Sequence, residues 1–295
     1  MKKTVVLISK NNGYLNSVKY SFKNVIELKE TLNSEERDEL VKKIEKYDRI
    51  ILVDYLFVFR YLMQNMDKEF KWILTYDISS LPLINEKLSY KALMEYYDRK
   101  LVSEIACLDN DFYELLKKAK YKVSKIDLDV NVKFKKKKND EVGIVGIDYN
   151  PLDNYYNELT AIKLNNQFVN LSGRTNATKE FVKFFEMKYS FKENDLEVIK
   201  SSNIILECSF AKLNIEKVLI AMDNGVLAIV GNTSIFDKYK TLKKYLVLNS
   251  DDDVNEIALK IKEAKEHSKE ILEEYKKFRK DYRTNCFKSI DELLK

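Results

Sequence analysis

The sequence predicts an α/β protein of two Rossmann-like halves, each a parallel sheet covered by helices. Three observations carry this. Apolar runs of strand length alternate with helical patterns along the whole chain, the signature of a parallel sheet with crossover helices. The alternation restarts after KFKKKKND (133–140), a stretch with no apolar periodicity beyond one Phe, which reads as a solvated linker. The length, 295 residues, is long for one ordinary α/β domain and comfortable for two of about 140 each.

In order, Thr4–Ser9 reads as a first strand, 10–16 as a polar loop and 24–28 as a short second strand. Ser34-Glu35-Glu36 opens a helix with Ser34 as N-cap and an acidic first turn, running to Lys46. RIILVD (49–54) is a buried strand and KWILTYD (71–77) another, followed by an amphipathic helix over 111–120 and a strand over 122–128. After the linker, VGIVGI (142–147) is a strand and 154–164 a helix. Strands follow at FVNLS (168–172), IILEC (204–208) and LAIV (227–230), with a last short one at 245–248 before a charged helical tail over 253–295. The boundary falls at about residue 138, giving a first domain over 1–138 and a second over 139–280.

Composition excludes several classes. The chain is 45% hydrophobic and 12% aromatic, too apolar for a disordered chain. Its 52 basic residues against 47 acidic ones leave a net +5, which allows an anionic partner without demanding one. Three scattered cysteines, Cys107, Cys208 and Cys286, lack metal-ligand spacing and read as reduced thiols of a cytoplasmic protein. The apolar run near the start is too short for a signal peptide, and no window approaches the length of a membrane span.

Only six glycines are present, and Gly13, Gly146, Gly173 and Gly231 fall at or just past the ends of expected strands. Ligands of open parallel sheets bind beyond those ends, where a missing side chain lets backbone approach a phosphate. The plain alternative for each is a turn glycine. Four at equivalent places in two halves favour a ligand cleft between the domains.

With these elements in place, the second half resembles the donor-binding domain of GT-B glycosyltransferases of the group-1/family-4 type. GIVGIDYNPLDNYYNELTAI (143–162) resembles its opening strand, glycine loop and first helix, and FVNLSG (168–173) its second strand and glycine. DLEVIKSSNIILECS (195–209) is similar to the helix and strand leading to the donor site, and IAMDNGVLAIVGNTSIF (220–236) to its helix-to-strand element. The tail resembles the closing helices, so 281–295 is expected as a helix returning to the first domain. In the first half, YDRIILVDYLFVF (47–59) and WILTYDISSLPL (72–83) resemble the T-even-type phage DNA β-glucosyltransferases, with Asp77 at the catalytic aspartate and one inserted residue.

Three departures from the family pattern bear on the donor. Ile220 stands where the family has the acidic ligand of the donor ribose, Lys212 where it has a second glutamate, and Ile147 follows Gly146 where a diphosphate-gripping cation is usual. Glu216, one turn before Ile220, is the candidate substitute, Arg174 a phosphate contact, and a helix beginning near Asn214, Ile215 and Glu216 would offer N–H groups to a diphosphate.

The resemblance implies a UDP-sugar donor, no tightly bound cofactor, and a reaction that admits a divalent metal without requiring one. Inverting transfer needs a base for the acceptor hydroxyl. Asp77 is that candidate and Asp54 the reserve; the alternative is that either caps a loop. No metal-ligand cluster is present, since Asp251-Asp252-Asp253 reads as a helix start, and the single histidine, His267, reads as a solvated surface residue. Lys117, Lys118, Lys120, Lys135, Lys136 and Lys137 could meet a polyanion or form a solvated face. The favoured acceptor is a hydroxymethylated pyrimidine in double-stranded phage DNA, in a bacterial cell or phage-infected host. A bacterial surface glycan or glycoprotein is the alternative, and a catalytically degenerate GT-B binding module the second.

Overall fold

The computed structural model describes residues 2–75, 91, 94–135, 140–145, 155–172, 180, 182–183, 186–208, 213–250 and 252–295. Two compact units divide the chain: Met1–Asn131 with Tyr282–Lys295, and Val132–Asp281.

The first unit is built on β1 (Thr4–Ser9), β2 (Val25–Leu28), β3 (Arg49–Val53), β4 (Glu69–Leu74), β5 (Glu104–Cys107) and β6 (Val123–Lys125). They form one six-stranded parallel sheet in the order β2-β1-β3-β4-β5-β6. β3 is buried at every position, the expected consequence of covering both faces of a parallel sheet. The core of this unit centres on Trp72, Phe59 and Phe112 with Ile50 and Leu52.

Helices α1 (Leu15–Ser21), α2 (Ser34–Ile44), α3 (Phe57–Asn65) and α4 (Asn110–Lys118) accompany the sheet. The N-cap of α2 is Asn33 rather than Ser34: Asn33 accepts from the Glu36 amide, and Glu36 in turn accepts from the Asn33 amide. That capping box satisfies two end donors together, so it fixes the start one residue earlier. Helix α3 is not among the elements expected from the sequence, where the strand ends at Asp54 and no helix follows it. Asp54, at φ 52°, turns the chain out of β3, and apolar residues then recur at helical spacing.

The second unit carries β7 (Val142–Ile144), β8 (Val169–Ser172), β9 (Tyr189–Lys192), β10 (Ile204–Glu207) and β11 (Leu227–Val230). They form a five-stranded parallel sheet in the order β11-β10-β7-β8-β9. Helices α5 (Tyr155–Leu164), α6 (Asp195–Ser201), α7 (Ile215–Asp223), α8 (Lys240–Leu246) and α9 (Val254–Glu266) accompany it. The strand expected at 245–248 is instead the end of α8, followed by a single bridge from Val247 to Val230. Gly143 lets β7 lie close under α6, since a Cβ there would meet Val198 Cγ1 at 2.6 Å and Ser202 Oγ at 2.5 Å.

The linker does not begin as a solvated one. The Phe134 amide donates to Asn224 Oδ1 (2.9 Å), and Asn224 Nδ2 donates to the Val132 carbonyl (2.8 Å), which seats this segment on the end of α7. The last helix, α10 (Ser268–Leu294), is continuous. In the second unit, Arg279 grips Asp223 with two nitrogens (2.9 and 3.0 Å) and Tyr275 donates to the same carboxylate at 2.8 Å. In the first, Arg283 pairs with the buried Asp129 (2.9 Å). There too, the buried Arg49 and Lys71 donate to the last carbonyls, Arg49 to Leu294 (2.5 Å) and Lys295 (3.2 Å), Lys71 to Leu293 (2.7 Å).

Candidate functional site

In the second sheet, β7 and β10 are neighbours whose connections lead to opposite sides, β7 to β8 and β10 to β11. Such a reversal opens a crevice at the carboxyl ends of the two strands, the usual ligand position in open α/β sheets. Three buried glutamates converge there. Glu158, on α5, accepts from the Cys208 amide at 3.0 Å. Glu207, the last residue of β10, accepts from the Asn214 amide at 3.1 Å. Glu216, on the first turn of α7, is only 3% exposed.

Asn214 is the N-cap of α7 and is itself buried. Its side chain accepts from the Glu216 amide, and its carbonyl from the Lys217 amide, both at 3.1 Å. These first-turn amides therefore have partners within the chain, and Ile215 packs into the core beside them. On the same edge, Asp195 pairs with Lys217 at 2.5 Å and accepts from the Ser172 hydroxyl at the end of β8. Among the described residues the arrangement supplies carboxylates for ligand hydroxyls and, in Lys217 paired with Asp195, a cation for a phosphate. Gly146, Gly173 and Arg174 lie outside the described residues, as do Ile147 and Lys212.

In the first sheet the connections reverse between β1 and β3. Gly13 lies in the turn after β1, where the Tyr14 amide donates to Asn12 Oδ1 at 2.8 Å. Asn12 Nδ2 donates across to Asp54 Oδ2 at 2.5 Å. Phe57, at the start of α3, is 73% exposed, with its ring edge-on to Tyr55 at 5.6 Å. Tyr55 in turn stacks on Trp72. Asp77 lies outside the described residues.

Lys117, Lys118 and Lys120 are exposed around the end of α4 in the first unit, and Lys135 is exposed in the second. Lys117 sits over the Tyr113 ring at 5.2 Å, and the Tyr113 hydroxyl raises its pKa. Lys136 and Lys137 lie outside the described residues. His267 lies at the surface with 35% of its side chain exposed, its ring stacked on Tyr245 at 4.2 Å, and it caps α9. Among the described residues no cluster of His, Cys, Asp or Glu could hold a metal ion, and no helix is long and apolar enough to cross a membrane.

Sequence reasoning missed Glu158, Glu207 and Lys217. Glu207 carried a signal, an acid closing the apolar run IILE. Glu158 carried a fainter one, an acid in a helix whose neighbours Leu159, Ala161 and Ile162 are all buried.

No family model and no curated protein sequence matches the chain. Solved structures do. Anabaena Alr3699/HepE in complex with UDP and glucose matches with a TM-score of 0.68 at 12% identity, over 100% of this chain and 99% of that one. Sucrose-phosphate synthase from Thermosynechococcus elongatus matches with a TM-score of 0.66 at 14% identity, over 99% and 97%. A glycosyltransferase from Rickettsia africae matches with a TM-score of 0.61 at 13% identity, over 99% and 97%. The fold is GT-B, with two Rossmann-like domains.

Proposed function

We propose that the chain is an inverting glycosyltransferase that moves a sugar from a UDP-sugar to an acceptor hydroxyl. The observation that carries this reading is the convergence of Glu158, Glu207, Asn214 and Glu216 at the switch point of the second sheet. It is supported by the end-to-end likeness to a structure holding UDP and glucose. In this reading Glu216 takes the ribose hydroxyls in place of the acid missing at Ile220. Lys217 is assigned to the diphosphate, Arg174, Gly146 and Gly173 are its further proposed contacts, and Asp77 is the base. Asp77 removes the acceptor proton as the new bond forms at the anomeric carbon. The bond to the diphosphate oxygen breaks, and UDP leaves with the electron pair.

The acceptor class that best suits the first unit is a carbohydrate hydroxyl, because Phe57 offers an exposed flat ring three residues after Asp54, beyond the carboxyl end of β3. A hydroxymethylated pyrimidine in DNA is the second reading, favoured by the exposed Lys117, Lys118 and Lys120. Calorimetry with UDP and UDP-glucose, followed by donor-turnover assays, tests the proposal. Absence of UDP binding overturns it, and UDP binding without turnover of any UDP-sugar favours the degenerate binding module. For DNA, each neutralised phosphate adds a slope of about −0.9 in log K against log salt. Binding that is flat with salt removes that reading.

A further inference from the structure

Asp54 is engaged by its own chain on every side. Thr75, just past β4, donates its amide to Oδ1 at 2.7 Å and its hydroxyl to Oδ2 at 2.5 Å. Asn12 Nδ2 reaches the same Oδ2 from the turn after β1. The Asp54 amide donates to the Ile73 carbonyl at 2.9 Å, and the Asp54 carbonyl accepts from Trp72 Nε1 at 2.5 Å. A carboxylate offers about four acceptor sites, and three donors already occupy this one. The residue also holds φ at 52°, a left-handed conformation that Asp tolerates better than most residues but that needs surrounding support.

We infer that Asp54 is a positioning residue and not a proton acceptor. It clamps the loop after β1 to the chain leaving β4, across the point where the connections of the first sheet reverse. Thr75 is the second residue before Asp77 in the sequence. The clamp therefore fixes Thr75, two residues ahead of the proposed base in the sequence. Only the activity part of this inference rests on the glycosyltransferase reading.

The hydrogen-bond polarity supplies a decisive experiment. The Tyr14 amide pins Asn12 Oδ1, so the Asn12 side chain cannot flip without losing that bond. In Asp54→Asn two amide nitrogens face each other, and in Asn12→Asp two carboxylates do. In the double variant the two groups have traded places. The side-chain nitrogen introduced at position 54 donates to the carboxylate introduced at position 12, and its second hydrogen meets the Thr75 hydroxyl. That carboxylate still accepts from the Tyr14 amide.

Each single variant is expected to melt roughly 2–8 °C lower and, where a donor is turned over, to lose about ten- to a hundredfold in kcat. The double variant is expected to recover most of both, because residues in one hydrogen-bond network couple strongly. Losses that simply add in the double variant overturn the clamp. A double variant that melts normally yet stays about a hundredfold slow, with its acidic pH limb gone, makes Asp54 the base instead. If the unmodified protein turns over no UDP-sugar, the function proposed above fails while the melting temperatures still decide the clamp.

Discussion

The Glu158 carboxylate reaches from α5 to the Cys208 amide at the end of β10, a 3.0 Å bond between two fully covered groups. It ties the helix that follows β7 to the far side of the same switch point. Glu158→Ala leaves the Cys208 amide buried without this acceptor, a loss of about 1–3 kcal/mol. Urea unfolding followed by far-UV circular dichroism should show that loss, and a parent-like midpoint would make the bond incidental.

Glu216 is the proposed ribose ligand. Glu216→Ala should weaken UDP binding by about 1–3 kcal/mol, roughly 5- to 150-fold in Kd. Calorimetry reads this directly, and unchanged UDP affinity in a folded variant rejects the assignment.

Asp77→Asn should fold and bind UDP as the parent does, yet lose at least about a hundredfold in transfer. The proton moves only in the transition state, so the loss belongs in kcat. A lower melting temperature with intact specific activity would mean that Asp77 serves as a cap.

Glu69 carries a pH dependence. Burial pushes its carboxyl up, but hydrogen bonds and charge from Lys2 and Arg49 outweigh this and hold it below its ordinary value. A folded value below the unfolded one means stability that is present above about pH 4.3 and is lost as pH falls through the folded value. The parent should therefore exceed Glu69→Gln in stability at neutral pH, and the gap should close in acid. Trp72, the single tryptophan and fully buried in the first unit, provides the fluorescence signal. A gap that is constant with pH removes the ion pairs as its cause.

The strands that read most clearly from sequence are those with uniform apolar runs, such as β3 and β11, because a sheet covered on both faces demands them. Helix α3 is not legible, since Val58, Phe59, Leu62 and Met63 are as apolar as the strand before them and only the turn at Asp54 separates the two. Strands β5 and β9 are too short and mixed to stand out. At the candidate site, Asn214 and Glu216 are visible because capping and acidic first turns have local signatures. The Asn12–Asp54–Thr75 clamp is not, because it joins residues 42 and 21 positions apart through side chains whose types suit any loop.

The hold of Arg49 and Lys71 on the last carbonyls of α10 also sets an order in time. About 150 residues of the second unit lie between Asn131 and Tyr282. At roughly 5–20 residues per second, a ribosome takes about 8–30 s to make them. Throughout that interval Arg49 and Lys71, which also pair with Glu69 and Glu104 in the folded sheet, lack the carbonyls they later grip. The part of the chain made first is thus the last to have its hydrogen bonds complete.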